Sequence, residues 1–245
     1  MILESLAQYS ALMVLKEHYP IEKVNQFLAL QLDDYLADRR KNKFIEVPLV
    51  LVEDEDFIYY SKGVINMYSL QQHIGEDTVN DALSKFLKKW KSFNNPKKLN
   101  RYATTHDLLD HFYEVTPDSL KQYVSDLFER VCYYDFQLLA SNVEKDSLNN
   151  FKITTSIKAN KYYLNDKGEE ASVAFHDWID VVIYAFDEYQ KEKIIFTEKV
   201  LIDSLENQIQ IITQEQPSKV SINTNHTFID INPKNNEVVL NIPIQ

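Results

Sequence analysis

The chain changes its hydrophobic period once. From Leu3 to Tyr19, apolar and small residues recur at helical spacing through Leu6, Ala7, Ser10, Ala11, Val14 and Leu15 until Pro20 interrupts, which predicts a buried helix. A second, amphipathic helix is predicted from Ile21 to about Arg40, with Val24, Phe27, Leu28, Leu32, Tyr35 and Leu36 on one face. After Pro48 and the acidic run Glu53, Asp54, Glu55 and Asp56, the segment from Phe57 to Ile74 is apolar around much of its circumference. It ends at Gly75, which suits a left-handed position closing a helix. Acidic residues then open a helix from Glu76 to Lys91 that buries Val79, Leu83, Phe86, Leu87 and Trp90. Thr104 with Asp107 reads as a capping-box variant, and Thr116 with Pro117 as a further start, giving two more helices to about Val131.

Past Asn150 the period becomes two. FKITTSIKAN alternates, NDKG supplies a turn, and WIDVVIYAF, KIIFTEKVLI, NQIQIIT and KVSIN follow with short polar connectors. The predicted fold class is therefore α+β and multidomain: a helical bundle over residues 1–140, then an antiparallel β-sandwich over 148–245.

Composition narrows the function classes. At 245 residues and 44% hydrophobic content the chain can bury a sizeable core without disulfides, and the single cysteine, Cys132, excludes an internal one. A net charge of −11 repels phosphate backbones, so no nucleic-acid partner is expected. Three glycines leave no room for a glycine-rich phosphate loop. No run of about 18 apolar residues occurs, and MILESLAQYS lacks the features of a signal peptide, so the piece is expected to be soluble as written.

Two places are odd. Glu4 is an acid among apolar residues, on the same helical stripe as Ala7 and Ala11, whose small side chains leave room beside it. Tyr59-Tyr60-Ser61-Lys62-Gly63 opens the most apolar helix. On spacing alone Glu4 reads as a solvated charge near a helix start, and the second element as core aromatics with a glycine for close packing.

ESLAQYSALMV resembles the helix that supplies the third, acidic zinc ligand in the gluzincin aminopeptidases of the aminopeptidase N type, and YYSKG resembles their Y-x-K-G element. The likeness continues through VINMYSLQQHIGEDTVNDALSKFL, TTHDLLDHF, PDSLKQYVSDLFERV and FIDINPKNN, essentially the whole chain. The subgroup it most resembles is bacterial, with the peptidase fused behind an ABC-transporter permease.

The resemblance implies that the helical part is the C-terminal half of a thermolysin-like catalytic domain, that the parent hydrolyses N-terminal residues from peptides, and that zinc is its cofactor. It maps Glu4 to the zinc ligand and Tyr60 to the hydroxyl that faces the scissile carbonyl. Tyr59 would point about 100° away on an α-helix and serve packing.

One departure is large. The family's two histidine ligands and its base come from H-E-x-x-H, which this sequence does not contain. His106 and His111 lack the spacing of a ligand pair, and His18, His73, His176 and His226 are scattered. The expectation is a C-terminal fragment that binds no zinc and is inactive alone. The alternative is a non-catalytic interaction module or pseudopeptidase associated with a membrane permease, the membrane side being open. Loss of the upstream half predicts an exposed apolar face near Leu3, Leu6 and Tyr9, or a homodimer that hides it.

Overall fold

The computed structural model describes residues 2–41, 44–91 and 101–241, and among these it is α+β. Six α-helices come first: α1 (Ile2–His18), α2 (Ile21–Lys41), α3 (Gly63–Ile74), α4 (Glu76–Trp90), α5 (Thr105–Val115) and α6 (Lys121–Phe128). Eight strands follow: β1 (Val131–Lys145), β2 (Phe151–Leu164), β3 (Glu170–Val173), β4 (Asp177–Phe186), β5 (Glu192–Ile202), β6 (Glu206–Thr213), β7 (Lys219–Ile222) and β8 (Glu237–Val239). No described helix is long and apolar enough to cross a membrane.

The chain divides into two compact units, the first comprising Met1–Cys132 with Leu164–Glu170 and His226–Ile229, the second Tyr133–Tyr163, Ala171–Asn225 and Asp230–Gln245. In the first unit α3 is the central helix: every residue from Gly63 to Gln71 is buried, as its unbroken apolar circumference requires. Helix α1 packs on α3, and α4 on α5. Helix α2 buries Val24, Leu28, Leu32, Tyr35 and Leu36, the predicted stripe. The Thr104–Asp107 capping box forms with both reciprocal bonds. Arg101 reinforces it with two bonds of 2.6 and 2.7 Å to the Asp107 carboxylate, which its guanidinium holds well below the usual range.

Three expectations are corrected in this unit. The stretch from Phe57 to Ile74 is not one α-helix, because Phe57–Lys62 is π-helical and only Gly63–Ile74 is α-helical. Gly75 has the positive φ expected of it, +92°, but its ψ of 147° is extended rather than left-handed helical. The face of α1 taken as buried points outward: Leu3, Ala7, Ser10, Ala11 and Val14 are exposed, and Ser5, Tyr9 and Leu12 are buried. Tyr9, placed on the expected exposed face, is thus inside, and Leu6 is half-buried. Helix α1 is apolar on both sides, so periodicity alone could not say which side meets α3.

In the second unit the strands form two four-stranded sheets, as expected of a β-sandwich. One runs β1-β2-β3 with β6 also on β2, the other β5-β4-β7-β8. The β2–β6, β4–β5, β4–β7 and β7–β8 pairs are antiparallel. Strand β2 buries alternate residues from Phe151 to Lys161, the period-two signature of a half-covered strand. Strand β4 buries Ile179–Ile183 in succession, so both its faces are covered there. Strand β1 takes up a stretch that the hydrophobic pattern had left with the helices, since Val131–Tyr134 are all buried and alternation fails where both faces are covered.

Three hairpin turns share one design. In the loops that follow β1, β2 and β4, the side-chain oxygen of Asp146, Asn165 or Asp187 accepts backbone N–H bonds of 2.8–2.9 Å from the residues two and four positions on. The fourth residue of each, Asn149, Gly168 or Gln190, has φ between 60° and 78°, which bends the chain back into the next strand.

Candidate functional site

The residues singled out from sequence meet at the N-terminal end of α1. Ser5 Oγ donates a 2.6 Å bond to the Tyr59 carbonyl, tying α1 to the π-helical turn. The Gly63 amide donates to the Ile58 carbonyl, five residues back, where α-helical spacing would send it to Tyr59. A Cβ on Gly63 would lie 2.7 Å from Ser5 Cβ, so only glycine lets the two backbones approach this closely. Ser5 and Gly63 are thus the hinge point of the close approach, and it brings the neighbouring Glu4 to Tyr60.

Tyr60 lies beside Glu4, and the nearby Glu4 carboxylate first, then burial and the Asp56 charge, raise the phenol above its ordinary value. Both side chains remain partly open to solvent. Tyr59 takes a larger part than packing alone: its hydroxyl donates to Asp56, and its ring meets Tyr60 edge-on with centroids 4.8 Å apart. The Asp56 bond first, with smaller contributions from burial and from Asp56, Tyr60 and Glu4, pushes the Tyr59 phenol up to about 12. The packing expected of Tyr59 is present in its ring contact with Tyr60, and the Asp56 bond is additional to it.

Behind the turn lies a buried charge cluster that the sequence reading missed. Lys62 is 1% exposed and its ammonium is 2.7 Å from Glu46, a residue of the loop after α2. Glu46 also accepts from Tyr35 at 2.8 and 2.9 Å and from Arg39 Nε at 2.9 Å. Burial pushes the Glu46 carboxyl up, but Lys62, Tyr35 and Arg39 outweigh it and hold the group below its ordinary value. The signal available was a lone charge inside each of two apolar stretches, FIEVPL and YYSKGVI.

The residues present do not make a metal site on their own. Among the described residues no group of three or more His, Cys, Asp or Glu side chains is gathered that could hold an ion. Glu4 offers one carboxylate, beside Tyr60. The histidines do not gather: His18, His106 and His176 are exposed, and His73 binds the Ser69 carbonyl at 2.8 Å. His111 is buried, with Nδ1 3.2 Å from Glu114 and its ring against Phe86.

The fold is similar to that of Legionella pneumophila aminopeptidase A, solved in complex with aspartic acid, with a TM-score of 0.50 and 13% identity. The likeness is one of fold. It takes in 93% of this chain but only 23% of that structure's chain. No protein-family model matches the sequence, and no curated protein does.

Proposed function

We propose that this chain is the C-terminal part of the catalytic region of a zinc-dependent aminopeptidase, followed by its sheets. The observation that carries the reading is the close approach of α1 to the π-helical turn at Ser5 and Gly63, which sets Glu4 near Tyr60. Each was singled out from a different segment by resemblance to one family, and both are partly open to solvent.

Tyr60 is the hydrogen-bond donor in this reading. When the carbonyl of an N-terminal peptide bond is attacked, negative charge grows on its oxygen, and a hydroxyl aimed there binds the transition state more strongly than the substrate. The hydroxyl carries a single proton, so in this reading it turns from Glu4 to the carbonyl oxygen when substrate binds. Glu4 is one carboxylate of the zinc site, and the remaining ligands come from outside this sequence. The residues described here do not complete that site, so no step is assigned to the metal.

The test compares two proteins. The product of the natural reading frame that contains these residues, supplied with zinc, is expected to release N-terminal residues from aminoacyl chromogenic substrates and to stop when chelated. The 245-residue chain alone, supplied with zinc, is expected to release none. Chelator-sensitive turnover by this chain alone contradicts a site split in this way. A silent natural product contradicts the peptidase and favours a non-catalytic module that docks a partner such as a membrane permease.

A further inference from the structure

We propose that Glu46 is a positioning residue: by gathering Lys62, Tyr35 and Arg39 on one carboxylate, it fixes the rotation of the π-helical turn and with it the place of the Tyr60 hydroxyl. The inference rests on the Tyr60–Glu4 pairing used above, and adds to it the device that holds it.

The turn Phe57–Lys62 needs such a device. A π-helical turn is rare, and is kept where surrounding contacts over-determine it. On one side the contacts are visible in Ser5 and Gly63, which join the turn to α1. They hold its backbone at Tyr59 and its end at Gly63 on the α1 side only.

The opposing anchor is Lys62. Its side chain runs inward while Tyr60, two residues earlier, stays partly open. The ammonium ends 2.7 Å from a carboxylate whose oxygens are also bound by Tyr35 and by Arg39, both on α2. The Lys62 ammonium also lies 5.5 Å from the centre of the Tyr35 ring, and that ring stacks at 5.9 Å on Phe57, the first residue of the turn. The two ends of the π-helical turn are therefore tied to α2 through one network, and its middle to α1.

A buried ion pair is a poor source of stability, because desolvation of both charges offsets their attraction and apolar residues of equal volume serve as well. What it supplies and an apolar pair does not is a single allowed geometry. Three donors converging on one carboxylate tolerate no slip of the turn by a fraction of a residue.

The test reads the Tyr60–Glu4 contact directly. With 3-fluorotyrosine placed at position 60 alone, the fluorine resonance at fixed pH is recorded with and without Glu4→Gln. In the unsubstituted chain Glu4→Gln is expected to shift the resonance, since it removes the charged acceptor. In a Tyr35→Phe, Glu46→Leu, Lys62→Met triple variant, whose buried charges are replaced by apolar groups, the response is expected to be lost while helix content is kept. Glu46→Gln, which preserves size and one acceptor oxygen but not the charge, is expected to diminish it. An undiminished response in either variant overturns the positioning role. A resonance indifferent to Glu4→Gln in the unsubstituted chain overturns the Tyr60–Glu4 pairing itself, and the two failures are told apart by the background in which they occur.

Discussion

Glu4 and Tyr60 were legible in the sequence only jointly, because neither an acid on a helix nor a tyrosine before a glycine says by its spacing that the two will touch. Their proximity follows from the close approach of Ser5 to Gly63 and its bond to Tyr59. Glu46 was legible only as a lone charge in the apolar stretch FIEVPL, with nothing to name its partners. It sits in a loop without periodicity, and its partners come from both sides of that loop. Asp230 is another residue whose role appears only in the fold. It is fully buried, accepts from the Asn232 amide at 2.9 Å and from Asn236 Nδ2 at 2.7 Å, and burial above all pushes its carboxyl up to about 6. Between about pH 6 and its ordinary 3.8 the folded chain binds this proton more readily than the unfolded one. By linkage this group stabilises the fold as pH falls through that window and works against it above the window. Denaturant midpoints of the native chain and Asp230→Asn, compared at pH 7 and 4.5, should therefore diverge in favour of the native chain at the lower pH. A difference independent of pH would contradict the assignment.

At the scale of elements, the helix limits other than the start of α3, the capping box and the strands from β4 to β7 followed from period and punctuation. Failures came where burial is uniform. Helix α1 is apolar on both faces and β1 is buried on both at its start, so neither pattern carried a direction. The π-helical turn has no sequence code, but it does have a sequence requirement. Gly63→Ala would place a methyl against Ser5, and such overpacking costs about 1–3 kcal/mol. Equilibrium denaturation should show that loss, with an unchanged midpoint counting against the close approach of α1. The hairpin turns offer the opposite kind of change. Gln190 holds a φ of 60° where Gly168 occupies the equivalent place in its own turn. Gln190→Gly is expected to stabilise the chain by up to about 1 kcal/mol, by relieving the left-handed strain on a residue with a Cβ. A destabilised variant would mean that the Gln190 side chain makes a compensating contact.

For the whole molecule, the change from period 3.6 to period 2 gave the α+β order, and the likeness to Legionella aminopeptidase A covers helices and strands alike. The sequence carried less about what else the chain meets. The outward stripe of α1, Leu3, Ala7, Ala11 and Val14, lies on the helix that carries Glu4, and Leu3 is 80% exposed. In the proposed reading that stripe is where the rest of the catalytic region would lie, bringing the missing ligands to Glu4. The most direct measurement is therefore kinetic, on the product of the natural reading frame with zinc bound. Tyr60→Phe removes only the hydroxyl, and loss of one oxyanion donor lowers kcat by about 100- to 1,000-fold. The account predicts a fall in kcat of that order with KM little changed and zinc content intact. A Tyr60→Phe enzyme with native kcat would contradict it.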